Sequence, residues 1–512
     1  MASSRFNRRF VAMQSLGAFD MIVVGGGVNG AGIARDAAGR GLSVLLVEKG
    51  DLAQGTSSRS GKLVHGGLRY LEYYEFRLVR EALIEREVLL NAAPHIIWPM
   101  RFVLPHSPEQ RPAWLIRLGL LLYDHLGGRK KLPATRTLDL WRAPEGAPVR
   151  KPFRKAFEYS DCWVDDARLV VLNALDLTKR GGEVRLRTSL TSARREADGW
   201  TVTLTDSITG SLIEASGKAL VNAAGPWVEN VLRSSGRNTE SRVRLVKGSH
   251  IIARKFWQGE QAYLLQNQDN RVIFVNPYEG DLCLIGTTDI PFDGKAEDVE
   301  IAPDEVDYLL AVVNRYFITE LKPADVVESF SGVRPLFDDN AANPSAVTRD
   351  YVFDVDAPGG AAPMLSVFGG KITTYRKLAE HALDKLKPYF PDMGAPWTER
   401  AFLPGGDLPG GDFEDWFAGF ESLNAWLPPG IALAYARRYG ARVSEMLGDA
   451  QSLTDLGRCF GGDLYEREAR FLMAAEWATT AEDITTRRTK HALHMTEAER
   501  ETFAAWIADG AP

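Results

Sequence analysis

Gly25-Gly-Gly-Val-Asn-Gly30 is the first stretch whose residue types and spacing serve chemistry. It follows a β-branched apolar run at residues 19–24, predicted as a strand, and precedes a helical pattern at 33–40 that Gly41 closes. A second apolar run, residues 43–47, delivers Glu48, 18 residues after Gly30. Strand, GxGxxG, helix, strand and acid together meet the demands of a dinucleotide. Gly25 permits the tight turn, Gly27 lets backbone approach a pyrophosphate, and Gly30 lets the helix lie close to the sheet. The helix N-terminus faces the phosphates, and Glu48 accepts from ribose hydroxyls. Asn29 stands inside the loop as a further cofactor contact, although turn geometry alone also accommodates it.

Two later stretches select the kind of dinucleotide. Lys218-Ala-Leu-Val-Asn-Ala-Ala-Gly-Pro-Trp227 is an apolar strand ending in small residues and Gly225. Leu365-Ser-Val-Phe-Gly-Gly-Lys-Ile-Thr-Thr-Tyr-Arg376 is a strand, a glycine pair and a helix start. A nucleotide domain built from three separated stretches, with other structure inserted, is the habit of two-domain flavoproteins. A helix opening at Gly369-Gly370 aims backbone N–H groups at the anionic end of a reduced flavin. Other patterns fail. Residues 55–63 have five residues between glycines and Leu63 after Lys62, so the GxxxxGK[ST] loop is not met. His491 and His494 lack a nearby acid or cysteine to complete a metal set and read as solvated, so no metal is expected. Asp165-Asp166 reads as a helix cap rather than a catalytic carboxylate pair.

The elements that position these residues belong to a folded, multidomain chain. Its 512 residues are 45% hydrophobic and 25% charged, which excludes global disorder. A net charge of −6 supplies no overall basic field, and no nucleic-acid partner is expected. Cys162, Cys283 and Cys459 lie far apart, which excludes a disulfide framework and points to a reducing compartment. No apolar run reaches the roughly 18–20 residues a spanning helix needs.

Asp51-Leu-Ala-Gln-Gly-Thr-Ser-Ser-Arg-Ser-Gly-Lys-Leu-Val-His-Gly-Gly-Leu-Arg-Tyr-Leu-Glu72 follows the ribose acid. This string resembles the FAD-dependent, quinone-linked glycerol-3-phosphate dehydrogenases of bacterial type, within the D-amino-acid-oxidase-like flavoproteins. The resemblance continues through Glu158-Tyr-Ser-Asp-Cys-Trp-Val-Asp-Asp-Ala-Arg168, Val246-Lys-Gly-Ser-His250, Ile285-Gly-Thr-Thr-Asp289, Ser331-Gly-Val-Arg-Pro335 and the 365–376 segment. It implies oxidation of sn-glycerol 3-phosphate to dihydroxyacetone phosphate, with electrons passed from FAD to a membrane quinone. It places Thr56, Ser57, Lys62 and Gly370 at the cofactor beside Gly25, Gly27, Asn29, Gly30, Glu48 and Gly225; Thr373 and Thr374 join them as cofactor contacts, with local helix caps as their alternative reading. The FAD is expected to be non-covalent, since no His or Cys of the fingerprint region announces an attachment. A phosphate dianion needs fixed cations, which Arg69, Arg334 and Lys371 supply beside Tyr70. Hydride loss from a carbinol needs its proton accepted and the developing alkoxide stabilised, for which His65 and His250 are the candidates, with Arg334 and Lys371 as catalytic cations.

The expected fold class is α/β plus α: a discontinuous Rossmann-like FAD-binding domain (19–91, 155–240, 357–387), an antiparallel β-sheet substrate domain (92–154, 241–356), and a C-terminal helical domain (412–512). An extension (1–18) precedes them and a Pro/Gly-rich linker (388–411) precedes the helices. A lipid-dissolved quinone requires peripheral docking on the bilayer surface, at the cytoplasmic face of the inner membrane. Residues 114–123 with Arg129-Lys130-Lys131 suit an anionic surface, as well as they suit a helix packed on the second domain. A homodimer is compatible with the sequence. Two alternatives remain open: an oxygen-using oxidase of glycerol phosphate or an amino acid, and a non-catalytic flavin-binding assembly protein.

Overall fold

A computed structural model describes residues 14–128, 131–237, 243–269, 271–337 and 350–511. Two sheets carry the architecture. The first has eight strands in the order Val352–Asp356, Met364–Phe368, Leu212–Asn222, Gln14–Val24, Val44–Val47 and Glu183–Arg185, with the hairpin Thr188–Arg195/Trp200–Asp206 joined to Leu212–Asn222. Its central pairings are parallel. Parallel strands are buried on both faces, which is why 21–24 and 44–47 read as unbroken apolar runs. Helices Val28–Gly39, Asp166–Lys179 and Tyr375–Leu386 cover one face.

The first strand begins at Gln14 rather than 19, because Gln14 and Ser15 already pair with Ile213 and Glu214. The first helix begins at Val28, five residues earlier than its periodicity suggests, because small residues at its start hide the apolar repeat. Asp165 caps Asp166–Lys179 by accepting from the Arg168 N–H (3.1 Å), and Gly181 beyond its end has φ +84°.

The second sheet has ten strands, and its long strand Val243–Arg254 lies between Leu282–Gly286 and Val326–Phe337. It is antiparallel except where Ala262–Gln266 runs parallel to Ile97–His106. Helix Pro303–Tyr316 packs on one face, and the other looks toward the first sheet. Strand Lys155–Val164, expected in the nucleotide domain, pairs along its length with Ile97–His106 in this sheet, as does Leu63–Val64 with Lys155–Val164. Val352–Asp356, expected in the substrate domain, instead edges the first sheet. The chain crosses between sheets at these points without a local signal, since both sheets need the same apolar alternation.

Residues 388–411 do not behave as a free linker. Leu403 and Leu408 are buried, the Leu403 N–H donates to the Ala92 carbonyl, and Trp397 covers Gly39. The C-terminal helices are joined to the nucleotide domain through buried ion pairs. Asp51 accepts from Arg488 twice (2.7 Å each) and from Arg487 (2.6 Å), while Glu476 holds Arg168 and Arg442. His491, expected to be solvated, is buried in the same region: Nε2 lies 3.0 Å from Glu468, which the chain places there from 23 residues away, whereas His494 is exposed. The Thr496–Glu499 capping box forms as expected, but the preceding cap uses Thr480 and Asp483 rather than Thr479 and Glu482.

Candidate active site

A cavity of about 1260 Å³ lies between the two sheets, larger than the ~300–1,000 Å³ of an ordinary small-molecule pocket. Its long arm starts at the glycine loop. Gly25 takes φ +118°, and an added Cβ there would meet the Ala223 carbonyl at 2.4 Å. At Gly30 a Cβ would sit 1.9 Å from the Gly25 carbonyl, so Gly30 acts by packing and does not itself line the cavity. Glu48 grips the loop through both oxygens, accepting from the Gly26 N–H (2.6 Å) and the Gly50 N–H (2.8 Å). Burial raises its carboxyl above the ordinary value, and those two N–H groups oppose the rise. Ser57 Oγ accepts the Val28 N–H (3.0 Å) at the helix start, and Thr56 Oγ1 donates to the Val333 carbonyl (2.6 Å), tying this loop to the second sheet.

Asn29 is more than a tolerant turn residue. Its Nδ2 donates to the Gly369 carbonyl (3.1 Å), which joins the first segment to the third across 340 residues, and its Oδ1 is buried with no protein partner. Gly369 and Gly370 take φ +74° and +101°, and a Cβ at Gly370 would press on Asn29. Gly225 lines the same arm. The donor-rich glycine loop, its ribose-side acid and the orphaned Asn29 oxygen fit a dinucleotide.

The other arm lies under the second sheet. His250 stands opposite Gly286, over which its ring lies, and it stacks on Phe330 at 4.9 Å between centroids. Burial, with Arg334 and Lys62 nearby, lowers its pKa to about 3, so the imidazole is neutral; neither nitrogen has a protein hydrogen-bond partner. Arg334 donates to Asp289 (2.7 Å) and to Thr287 (3.2 Å), and Gly248 leaves the room: a Cβ there would lie 2.6 Å from the guanidinium. His65 lines the facing wall, its N–H donating to Thr373 Oγ1 (3.2 Å). Burial also lowers the His65 pKa, opposed by Asp161. Lys371 lies over the Tyr70 ring at 3.8 Å, and Arg69 lines the cavity beside them.

Besides Gly30, two more expected cofactor residues do not line the cavity. Lys62 is buried in an ion pair with Asp166 (2.8 Å) and donates to the Ser58 carbonyl, so it pins its loop to helix Asp166–Lys179 instead of lining the cavity. Thr374 is buried behind Thr373 in the turn that starts the last helix of the nucleotide domain. Sequence reasoning passed over Asp289 and Thr287, which orient Arg334. It also passed over Asp161, which accepts from the Gly66 N–H, Arg86 and Tyr123 and so fixes the loop after His65. All three lie in the quoted strings, but no local pattern announces their partners.

The family described as FAD dependent oxidoreductase matches residues 20–376. The chain belongs to this family. This FAD dependent oxidoreductase is 64% identical over 489 residues to a D-erythritol 1-phosphate dehydrogenase of Brucella abortus (strain 2308), covering 95% of the chain and 97% of the relative. It is 49% identical over 492 residues to the aerobic glycerol-3-phosphate dehydrogenase of Escherichia coli (strain K12), covering 96% and 97%. Among solved structures, the glycerol-3-phosphate dehydrogenase from Bacillus halodurans complexed with FAD aligns with a TM-score of 0.76 at 26% identity, covering 96% of this chain and 90% of that one. FAD is the cofactor of this oxidoreductase, and the arm from Gly25 to Glu48 is where its adenosine and pyrophosphate fit.

Proposed function

We propose that the chain oxidises the carbinol of a short polyol phosphate, D-erythritol 1-phosphate ahead of sn-glycerol 3-phosphate, and passes the electrons to a quinone. The observation that carries the reading is the pairing of each neutral histidine with a nearby cation, His250 with Arg334 and His65 with Lys371, in one cavity of an FAD oxidoreductase. The order of substrates follows the identities, 64% against 49% over nearly the same length. FAD, which the Gly25–Gly30 loop and Glu48 would hold, would supply the acceptor for the hydride of the carbinol carbon.

The protein's own groups do the rest. Arg334 and Lys371 hold the phosphate or the developing alkoxide, and Asp289 keeps the Arg334 fork in one orientation. A neutral imidazole takes the hydroxyl proton, and His250 Nε2 is available because nothing in the protein occupies it. A phosphate dianion beside Arg334 offsets the cationic push on His250 and raises its basicity in the complex.

Electrons leave to a lipid-dissolved acceptor in this reading, with the protein docked on the cytoplasmic face of the inner membrane. No helix among the described residues is long and apolar enough to cross a bilayer. Helix Ala113–Leu126 buries Leu120 and Tyr123 but exposes Trp114, Leu118, Leu121 and Leu122, and Tyr73, Tyr74 and Phe76 are exposed on elements near it. Five of these residues, Tyr73, Tyr74, Phe76, Leu118 and Leu122, also line the cavity mouth, so a surface that dips into lipid would open the cavity to it. Arg129 and Lys130 of the expected basic cluster lie outside the described residues; Lys131 is exposed.

The test is anaerobic flavin reduction by each phosphate, followed by reoxidation with a short-chain quinone or with oxygen. Faster reoxidation by oxygen would favour an oxidase, and no reduction by either phosphate would refute the substrate class. Trp114→Ser with Leu121→Ser should release the protein from phosphatidylglycerol vesicles while dye-linked turnover persists; unchanged binding would place the docking face elsewhere.

A further inference from the structure

Among the described residues, three side chains of the cavity wall carry buried polar atoms without a protein partner: Asn29, His250 and Asn276. Asn29 belongs to the dinucleotide arm and His250 to the carbinol. Asn276 has no role in either.

Asn276 lies on strand Val272–Tyr278, opposite Leu284, while Phe274 on the same strand lies opposite Gly286, which in turn pairs with His250. Strand alternation therefore turns Asn276, Phe274 and His250 to one side, that of the cavity. Asn276 is 1% exposed. Its Nδ2 makes a long contact to the Gly61 carbonyl (3.4 Å), and because a carbonyl only accepts, that contact fixes the amide so that Oδ1 is the unpaired atom. Gly61 also lies against His250, where a Cβ would sit 3.6 Å from Nε2. Gly61 thus lies against both orphaned side chains. Apolar side chains that line the cavity on this sheet include Phe274, Leu264 and Leu284. Leaving a buried amide oxygen unpaired costs about 1–3 kcal/mol, which a ligand donor recovers.

We propose that Asn276 determines substrate specificity: its Oδ1 accepts from a hydroxyl of the polyol phosphate other than the one oxidised. This rests on the polyol phosphate reading above and sharpens it. A three-carbon phosphate has a single non-reacting hydroxyl and a four-carbon phosphate has two, so the longer substrate can satisfy Asn276 while its remaining groups stay at the cations. A site built to hydrogen-bond a hydroxyl discriminates strongly against an analogue that lacks it.

The test uses FAD-loaded Asn276→Leu, which keeps size and removes the acceptor. The ratio of kcat/KM for D-erythritol 1-phosphate over sn-glycerol 3-phosphate should fall at least about ten-fold. The Kd of D-erythritol 1-phosphate for the dithionite-reduced protein, measured anaerobically by calorimetry, should rise by a similar factor. Asn276→Thr, which retains an oxygen on a strand-compatible side chain, should lie between wild type and Leu, and it gives the same reading if the Leu variant loses flavin. A ratio within about two-fold of wild type in both variants overturns the proposal. If the flavin potential or visible spectrum shifts at the same time, the amide serves the cofactor. If wild-type flavin is reduced by neither phosphate, the proposed activity fails first and this inference with it.

Discussion

Replacing His250 by Gln tests the electrostatics of the substrate arm. An ordinary imidazole titrates at 6.5, and burial beside Arg334 and Lys62 lowers His250 to about 3. At 1.36 kcal/mol per pH unit, that is about 5 kcal/mol against the protonated ring. At pH 6 only about one molecule in a thousand would carry the His250 proton. Because the folded pKa is depressed, the neutral, proton-accepting form persists as pH falls until the region of pH 3–4. The substrate is different, since a phosphate monoester takes up its second proton near pH ~6. Stopped-flow reduction of the flavin under anaerobic conditions, as rate over Kd from pH 5 to 9, should show that substrate limb in wild type and in His250→Gln alike. Loss of a general base lowers the variant by about 10²–10⁴-fold, and the ratio of the two proteins should stay flat. A ratio that collapses toward acid with a midpoint near 6.5 would show His250 titrating normally and refute the reasoning.

The same physics destabilises the fold in acid. His95, fully buried among Arg168, Arg437 and Arg442, is also lowered to about 3, so the unfolded chain binds a proton between pH 6.5 and 3 that the folded chain refuses. Stability should fall with decreasing pH in that window, and His95→Leu should remove up to about 1.4 kcal/mol per pH unit of that slope, read by urea unfolding; an unaltered slope would count against it. Arg334→Lys keeps the charge but loses the fork held by Asp289, so turnover should drop about 10–100-fold while flavin per chain is retained. Wild-type kinetics after that change would make Arg334 remote from the reaction. Asp51→Asn leaves Arg488 buried without its counterion, while Arg487 keeps Asp483 and Glu482; at about 3–5 kcal/mol, this over a 512-residue chain corresponds to a Tm loss of about 3–5 °C by calorimetry. An unshifted Tm would mean that this junction contributes nothing. Acid precipitation should leave a colourless pellet; yellow retained in it would show covalent flavin.

The glycine loop was legible because its demands are local. A turn at φ +118° and a helix start pressed on the Gly25 carbonyl can be written only with glycine, whatever the rest of the chain does. Apolar runs buried on both faces likewise announced the parallel sheet. Lys62 shows where this stops. It stands in the chain among residues that line the cavity, yet its charge goes to Asp166, 104 residues on, and the side chain does not line the cavity. The Pro/Gly density of 388–411 suggested a linker, but Leu403 and Leu408 found partners on the nucleotide domain and the C-terminal helices. His491 met Glu468, and Asn276 acquired its place only through the register that sets Phe274 opposite Gly286 and Gly286 opposite His250. Sequence by itself determined which backbone conformations and which faces were required, because those follow from residue type and period. Tertiary structure decided which buried charges meet and which polar atom is left facing the cavity, because sheet register joins residues that nothing in the intervening chain connects.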